Sequence, residues 1–388
     1  MTKTVARRLN APIHAVWITL AAYAFFVLVK LALVGFNPTV FINAGDRFAH
    51  SDALGNAFMI KTNSDGYDGQ FFYRLALTPF TGQVNAHGIS LDSPPYRHQR
   101  IVYPLLARIM ALGRYDLVPW GLVAANLAAL AGLAWVGATF AVQSGRHALW
   151  GLIIPFFPGF LMSLAFDLAE IVQAAFILLG IRAVAKRQYL LAAGMLTLAG
   201  MTREPALIVP GVGLLTVIIG FCRHDRNIRA VVAFAAPLVA YAIWQFALYL
   251  DWGQFSALSD SDQITFPLVG LVHGLAALKS MPLKSIVLYF LEMGFLILFT
   301  LTVISVYRGN PALRLVRGAW VVYAALQSVL SSSIWEYGLS FLRVSAEFFV
   351  LGCLIILASN RSRLLTVAAA GQAILWLVLF VKFSVIDA

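Results

Sequence analysis

Long apolar segments, separated by short connectors that carry most of the charge, constrain this chain more than any other feature. Charged residues make up only 12% of the sequence, roughly half the share found in globular proteins. No single soluble core needs so much apolar sequence, whereas a bilayer needs about 20 apolar residues for each helical span. Because lipid offers the backbone no hydrogen-bond partners, these segments should be helical. The sequence therefore predicts an all-α polytopic membrane protein.

Eleven segments can be read as membrane spans. The first, at residues 12–36, follows three basic residues, but it is too long for the apolar region of a secretory signal, so we read it as a span. The pair at 189–202 and 204–221 is short and needs protein neighbours or a locally thinner bilayer. The predicted spans are 12–36, 117–142, 148–165, 168–185, 189–202, 204–221, 229–250, 284–306, 313–332, 340–358 and 363–384.

The charges of the connectors predict which side of the membrane each connector faces. Basic residues gather in alternate connectors, and basic residues in short loops mark the cytoplasmic side. Among the 17 acidic residues, only Asp225 falls in this basic set. We therefore expect a cytoplasmic N-terminus and a working face on the opposite side. The basic set comprises Lys3, Arg7, Arg8, Arg146, Arg182, Lys186, Arg187, Arg223, Arg226, Arg229, Arg308, Arg314, Arg317, Arg361 and Arg363.

Two large outer segments, 37–116 and 251–283, are too rich in aromatic residues to be disordered. We expect them to fold onto the membrane surface and to roof a cavity. Within the first, residues 100–113 are apolar but too short to span, and they contain Arg108. A charge at mid-membrane costs at least ~2.5–3.5 kcal/mol. We therefore predict an amphipathic helix on the outer membrane surface at this place.

The first outer segment also holds a carboxylate suited to acid–base chemistry. The sequence DGYDGQ at 65–70 precedes FFYRLA at 71–76, and apolar side chains at four-residue steps predict a helix with one apolar face. That face can lie in the membrane interface and hold Asp68 near the headgroups. A partly desolvated carboxylate there can accept a proton from a hydroxyl. The structural alternative is that Asp68 caps this helix or pairs with Arg74.

These motifs and their order resemble the GT-C superfamily of membrane glycosyltransferases. Residues 68–76 and the YPLL sequence at 103–106 resemble the family's first luminal loop, and PGF at 158–160 and MTRE at 201–204 resemble two later boundaries between spans. The resemblance covers residues 12–250 well and the rest loosely. On this basis we expect a single integral membrane domain with two parts. The GT-C-like module covers residues 1–250 and includes outer loop 37–116. The second part covers residues 251–388 and contains outer loop 251–283 and the C-terminal spans.

The resemblance implies a bacterial inner-membrane enzyme for cell-surface glycan or glycolipid assembly, with a more distant likeness to GPI-anchor mannosyltransferases. Such enzymes move a sugar, with inversion, from a polyprenyl phosphate to a lipid-linked or glycan acceptor on the periplasmic face. Carried onto this chain, the general base is Asp68. Gly69 stands where relatives often carry a second acidic residue, which keeps Asp65 and Asp46 as rival bases. A lipid-linked sugar flippase and a glycan polymerase are the alternative functions, and a nucleic-acid partner is not expected.

Arginine residues are candidates for binding phosphate, because the guanidinium fork matches phosphate oxygens. Arg343 lies inside a predicted span and Arg203 at the break between two short spans. The resemblance favours both as ligands of the donor phosphate. The structural alternatives are an Arg343–Glu347 pair and an Arg203–Glu204 pair.

A basic and aromatic group in the first outer segment is predicted to bind the acceptor or lipid headgroups. It comprises Tyr73, Arg97, His98 and Arg100. No cofactor or metal is predicted. A divalent cation would require Asp68, Asp167 and Glu170 to converge, which spacing alone does not show.

Overall fold

The computed structural model describes residues 10–221, 227–256, 263–307, 313–336 and 340–386. Basic residues used for the topology prediction at positions 3, 7, 8, 223, 226 and 308, and Asp225, lie outside these ranges. The α-helices are α1 Pro12–Leu33, α2 Ser51–Leu54, α3 Gly69–Leu77, α4 Pro94–His98, α5 Val102–Met110, α6 Val118–Gln143, α7 Gly159–Ala165, α8 Glu170–Ala185, α9 Tyr189–Thr202, α10 Ile208–Phe221, α11 Ile228–Trp252, α12 Val269–Ala277, α13 Leu283–Val306, α14 Arg314–Ser328, α15 Ser332–Glu336, α16 Ser340–Val344, α17 Ala346–Leu357 and α18 Ser362–Val381.

The strands in the described part are two short pairs within the first outer segment. Strand β1 (Ala44–Gly45) pairs in parallel with β2 (Ile60–Lys61). Strand β3 (Asn85–Ala86) pairs antiparallel with β4 (Ile89–Ser90). The first outer segment is therefore ordered, as its aromatic composition predicts.

Within the part of the chain that the structure describes, six helical segments are long and apolar enough to cross a membrane, by length and composition. They support an all-α membrane protein, and each matches a predicted span. The other five predicted spans contain shorter helices. Helix α8, for example, has 16 residues, about 24 Å at 1.5 Å per residue, against a hydrocarbon core of about 30 Å. The six segments are Pro12–Leu33, Tyr115–Gln143, Glu204–Phe221, Ile228–Trp252, Leu283–Val306 and Ser362–Val385.

Helix α3 forms where the apolar spacing predicts it, but it does not lie on the surface. Its apolar face packs into the protein core, with Phe71 and Leu75 both buried. The ring of Phe72 meets that of Tyr103 of α5 edge-to-face, with 5.2 Å between centroids. The prediction of a helix lying in the membrane interface is therefore wrong at α3, because an apolar face can be covered by protein as well as by lipid.

Arg108 explains how the short helix α5 tolerates a charge in an apolar sequence. Its Nη1 donates to the carbonyl oxygens of Ala76 (3.1 Å) and Leu77 (2.5 Å) at the end of α3. The last carbonyls of a helix have no partner within the helix, so the guanidinium satisfies groups that would otherwise be buried without one. The apolar side chains of Ile109 and Met110, which follow Arg108 on α5, are exposed.

The N-terminal and C-terminal parts of the chain share one hydrophobic core. The ring of Phe157 stacks on that of Phe349 of α17 at 4.8 Å, and the Tyr323 hydroxyl of α14 donates to the carbonyl of Pro205 at 2.7 Å. The core runs from Tyr23 to Phe383. A site can therefore draw its residues from both sides of the predicted division near residue 250.

Gly69, the first residue of α3, provides a test of this packing. A Cβ atom there would collide with the carbonyl oxygen of Phe166 and come within 2.7 Å of that of Ile42. We expect Gly69→Ala to destabilise the protein by about 1–3 kcal/mol, as overpacked cores do. Gly82→Ala is the control, because nothing lies within 4 Å of a Cβ atom at that position. Thermal unfolding in detergent makes the comparison, and equal melting temperatures for the two variants would contradict it.

Candidate active site

Asp68 directly precedes α3, and buried hydrogen bonds hold its backbone in place. The side chain of Gln70 accepts from the Gly45 amide at 3.1 Å and donates to the Asp65 carbonyl at 2.8 Å. The amide of Tyr67 donates to the carbonyl of Asn43 at 2.9 Å. These bonds tie the turn before α3 to β1, so the position of Asp68 is fixed by the surrounding loop.

Three arginine residues surround the carboxylate of Asp68. Arg97 Nη1 donates to Oδ1 at 2.9 Å and Arg343 Nη1 donates to Oδ2 at 2.8 Å. Arg100 Nη1 forms a longer ion pair with Oδ2 at 3.9 Å. Among the described residues, the partners of Asp68 are thus arginines, and neither structural alternative from the sequence, a helix cap or a pair with Arg74, is observed. The predicted base, Asp68, is therefore in contact with Arg343, a predicted phosphate ligand, and with Arg97 and Arg100, which were predicted to bind the acceptor or lipid headgroups.

The arginine charges dominate the protonation of Asp68. Burial raises its pKa, but the charges of Arg97, Arg343 and Arg100 lower it more, so that the pKa lies well below its usual range. A carboxylate stabilised in this way is ionised at neutral pH but is a weak proton acceptor. Its strength as a base therefore depends on whether the arginines stay with it.

Each of the two closest arginines is also held by a second acidic residue. Asp92 accepts from Arg97 through Nε (2.7 Å) and Nη2 (2.6 Å), leaving Nη1 for Asp68. Arg343 Nε forms an ion pair with Glu170 at 3.5 Å, also leaving Nη1 for Asp68. The arginines therefore keep an anchor that does not depend on Asp68.

The charged group continues into the core beyond Glu170. Arg203 Nη1 lies 3.4 Å from Glu170 Oε1 and 4.0 Å from Glu347 Oε1. Arg203 is buried, and the lining of the cavity beside Asp68 does not include it. The prediction that Arg203 contacts the donor phosphate is therefore not supported by its position. Its positive charge offsets the negative charges of Glu170 and Glu347. The ion pairs among the described residues include neither of the predicted structural pairs, Arg343–Glu347 and Arg203–Glu204.

Arg100 is the most deeply placed of the three arginines around Asp68. Its Nε and Nη2 donate to Glu204 at 3.0 and 2.6 Å, and Nη2 also donates to the Tyr96 hydroxyl at 2.5 Å. The cavity lining does not include Arg100. It therefore supports the site from behind, and the prediction that it binds a headgroup directly is not supported.

A polar cavity of about 410 Å³ opens beside Asp68. Asp68, Arg97 and Arg343 lie on its wall together with Asp65 and Arg47. Asp65 is mostly exposed, with 68% of its side chain accessible, and pairs with Arg47 at 3.0 Å, whereas Asp68 is only 17% accessible. Of the two rival bases on this wall, Asp68 is the one that is partly desolvated and paired with arginines.

The other predicted site residues lie away from this wall. Asp46 accepts the backbone amides of Ser64 and Asn63, which lowers its pKa and indicates a structural role in the loop. Tyr73 packs its ring on Phe58 at 5.3 Å. His98 is buried, so a direct headgroup contact by either Tyr73 or His98 is not supported.

Sequence reasoning missed Asp92 and gave Glu170 a different role, that of a possible metal ligand. Asp92 precedes SPP at 93–95, which starts α4, so that one turn of helix brings Arg97 back over Asp92. Among the described residues, no group of three or more His, Cys, Asp or Glu side chains is placed to hold a metal ion. That the protein needs no divalent cation thus stays a prediction. What the geometry shows instead is carboxylates paired with arginines.

Glu170 is expected to be the most important acidic residue for stability. It is buried and forms ion pairs with both Arg203 and Arg343. Glu170→Gln leaves the buried guanidinium of Arg203 and the half-buried guanidinium of Arg343 with one fewer negative charge, and we expect a loss of about 3–5 kcal/mol in unfolding free energy. Asp116→Asn is the control, because its pair with Arg114 is exposed and is worth about 0–1 kcal/mol. Similar melting temperatures for both variants would show that the buried group is not stabilising.

No protein-family model matches this chain, and no curated protein matches it.

Proposed function

We propose that this protein is an inverting glycosyltransferase of the GT-C type, which moves a sugar from a polyprenyl-phosphate donor to an acceptor on the periplasmic side of a bacterial inner membrane. The observation that supports this most is the position of Asp68 on a cavity wall between Arg97 and Arg343. That arrangement combines a proton acceptor with two cations suited to phosphate. The motif order described above supports the same proposal.

The reaction requires one proton acceptor and one stabilised leaving group. The acceptor hydroxyl oxygen attacks the anomeric carbon, and the bond from that carbon to the phosphate oxygen breaks. The electron pair leaves with the polyprenyl phosphate, whose charge is balanced by Arg343 and Arg97. The hydroxyl proton passes to Asp68. Attack opposite the leaving group inverts the anomeric configuration.

The topology in this proposal follows the connector charges. The eleven predicted spans place the first outer segment, and with it Asp68, on the side opposite the basic connectors. Nucleotides are absent from that side of an inner membrane, so a lipid-linked donor fits the location. The apolar surfaces of the membrane helices would hold the lipid chain while its phosphate reaches the cavity.

The experiment uses the purified protein in nanodiscs with a panel of synthetic short-chain polyprenyl-phosphate sugars and a membrane extract as acceptor. Mass spectrometry follows release of the polyprenyl phosphate, and NMR gives the anomeric configuration of the product. We expect one donor to be consumed with inversion. Retention of configuration, or no transfer from any donor, would contradict the proposal.

A further inference from the structure

We propose that Asp68 and a substrate phosphate compete for the same two arginines, so that phosphate binding releases Asp68 to act as the general base. The role of Asp68 as a base rests on the function proposed above. The competition itself rests on the contacts of Arg97 and Arg343, each of which directs its Nη1 group at one oxygen of the Asp68 carboxylate.

A phosphate fits the place that Asp68 takes. Arginine binds carboxylates and phosphates through the same fork geometry, so the two oxygens of Asp68 make contacts that two phosphate oxygens can also make. Asp92 accepts from the Nε and Nη2 edge of Arg97, which leaves Nη1 for the contact with Asp68, and both Arg97 and Asp68 line the cavity. A phosphate entering from the cavity therefore meets arginine groups that Asp68 already engages, and the two negative charges repel each other.

The arginines can change partner without moving far. Asp92 holds Arg97 at two points, and Glu170 lies 3.5 Å from Arg343 Nε. Aromatic rings support both guanidinium groups, with Arg97 4.1 Å from the centroid of Phe71 and Arg343 5.0 Å from that of Tyr67. Loss of the contact with Asp68 therefore leaves both cations fixed at the cavity wall.

The exchange makes the base strong only when the donor is in place. A carboxylate paired with arginines accepts a proton poorly, whereas a carboxylate beside a phosphate has its proton affinity raised by the like charge. The same binding event therefore positions the leaving group and activates Asp68. The Asp68 carboxylate and the substrate phosphate are thus alternative partners of the same two arginines, Arg97 and Arg343.

The test measures anion binding without any sugar, so that it does not depend on transfer. Isothermal titration of the full-length protein in detergent gives dissociation constants for inorganic phosphate and for farnesyl phosphate. The variants are Asp68→Asn and Asp68→Ala, each checked for folding by its melting temperature. The charge-matched control is Asp65→Asn, because Asp65 lies on the same cavity wall but pairs with Arg47.

We expect both Asp68 variants to bind phosphate about tenfold more tightly than the wild type, about 1.4 kcal/mol, with a much smaller gain for Asp65→Asn. The gain with both probes would identify phosphate alone as the competitor, and the gain with farnesyl phosphate alone would identify the phosphate of a lipid carrier. Equal gains for Asp68→Asn and Asp65→Asn would reduce the effect to long-range charge and overturn the competition. No gain in either Asp68 variant would overturn it too. Tighter anion binding in a protein without transferase activity would keep the competition and reject the proposed function.

Discussion

Replacing Asp68 with asparagine is expected to lower the transfer rate by a factor of about 10²–10⁴, which is the usual contribution of a general base. The amide keeps the size of the side chain but cannot accept the hydroxyl proton as a carboxylate does. Single-turnover transfer from the donor identified in the panel measures the effect. Because the Asp68→Asn substitution also releases Arg97 and Arg343 from a competing carboxylate, we expect donor binding to be retained or strengthened while the rate falls.

Asp65→Asn is the matched comparison for this prediction. Asp65 lies on the same cavity wall but is exposed and paired with Arg47, so we expect most of the transfer rate to survive its replacement. The reverse result, a large loss in Asp65→Asn and near-normal transfer by Asp68→Asn, would move the base to Asp65. Both variants must show wild-type elution on size exclusion for the comparison to count.

Replacing Arg343 with lysine is expected to lower kcat/KM by a factor of about 10²–10³, in the range seen when one group that stabilises developing charge is removed. Lysine keeps the positive charge, but its single ammonium cannot reproduce the planar fork. Arg343 uses Nη1 for Asp68 and Nε for Glu170. A lysine at this position cannot make both contacts in the same geometry, so the cation would no longer be fixed at the cavity wall.

Arg47→Lys is the control for Arg343→Lys, because Arg47 lies on the same cavity wall and its pair with Asp65 is exposed. Exposed pairs contribute about 0–1 kcal/mol, so a small change in kcat/KM is expected. Steady-state kinetics with varied donor concentration compare the two variants. An equal loss in both would mean that the cavity needs positive charge in general, without a special position for Arg343.

The sequence predicted the candidate site better than it predicted the details around it. Asp68 and Arg343 are 275 positions apart. The local motif points to Asp68, whereas Arg343 stands out as a charged residue inside a predicted span, and the fold brings Asp68 Oδ2 and Arg343 Nη1 within 2.8 Å of each other. Arg97 was selected for its outer position and also reaches Asp68. Motifs mark a residue as a candidate, but only the packed helices show which candidates meet.

The predicted contacts that the structure does not support share a physical reason. The break between α9 and α10 marks Arg203 as unusual, but spacing does not tell which way its side chain points, and it lies in the core with Glu170 and Glu347. In the same way, the apolar face of α3 is compatible with lipid or with protein, and protein covers it. Partners of this kind depend on distant segments and leave no local signal in the sequence.

Sugar transfer at Asp68 is tested most directly in proteoliposomes that contain the purified protein, the lipid-linked donor and an acceptor, with no nucleotide present. We predict that sugar leaves its carrier, that polyprenyl phosphate is released in equal amount, and that Asp68→Asn slows both by the factor given above. Passage of intact lipid-linked sugar across the bilayer, without release of polyprenyl phosphate, would contradict the proposed transfer and indicate a flippase.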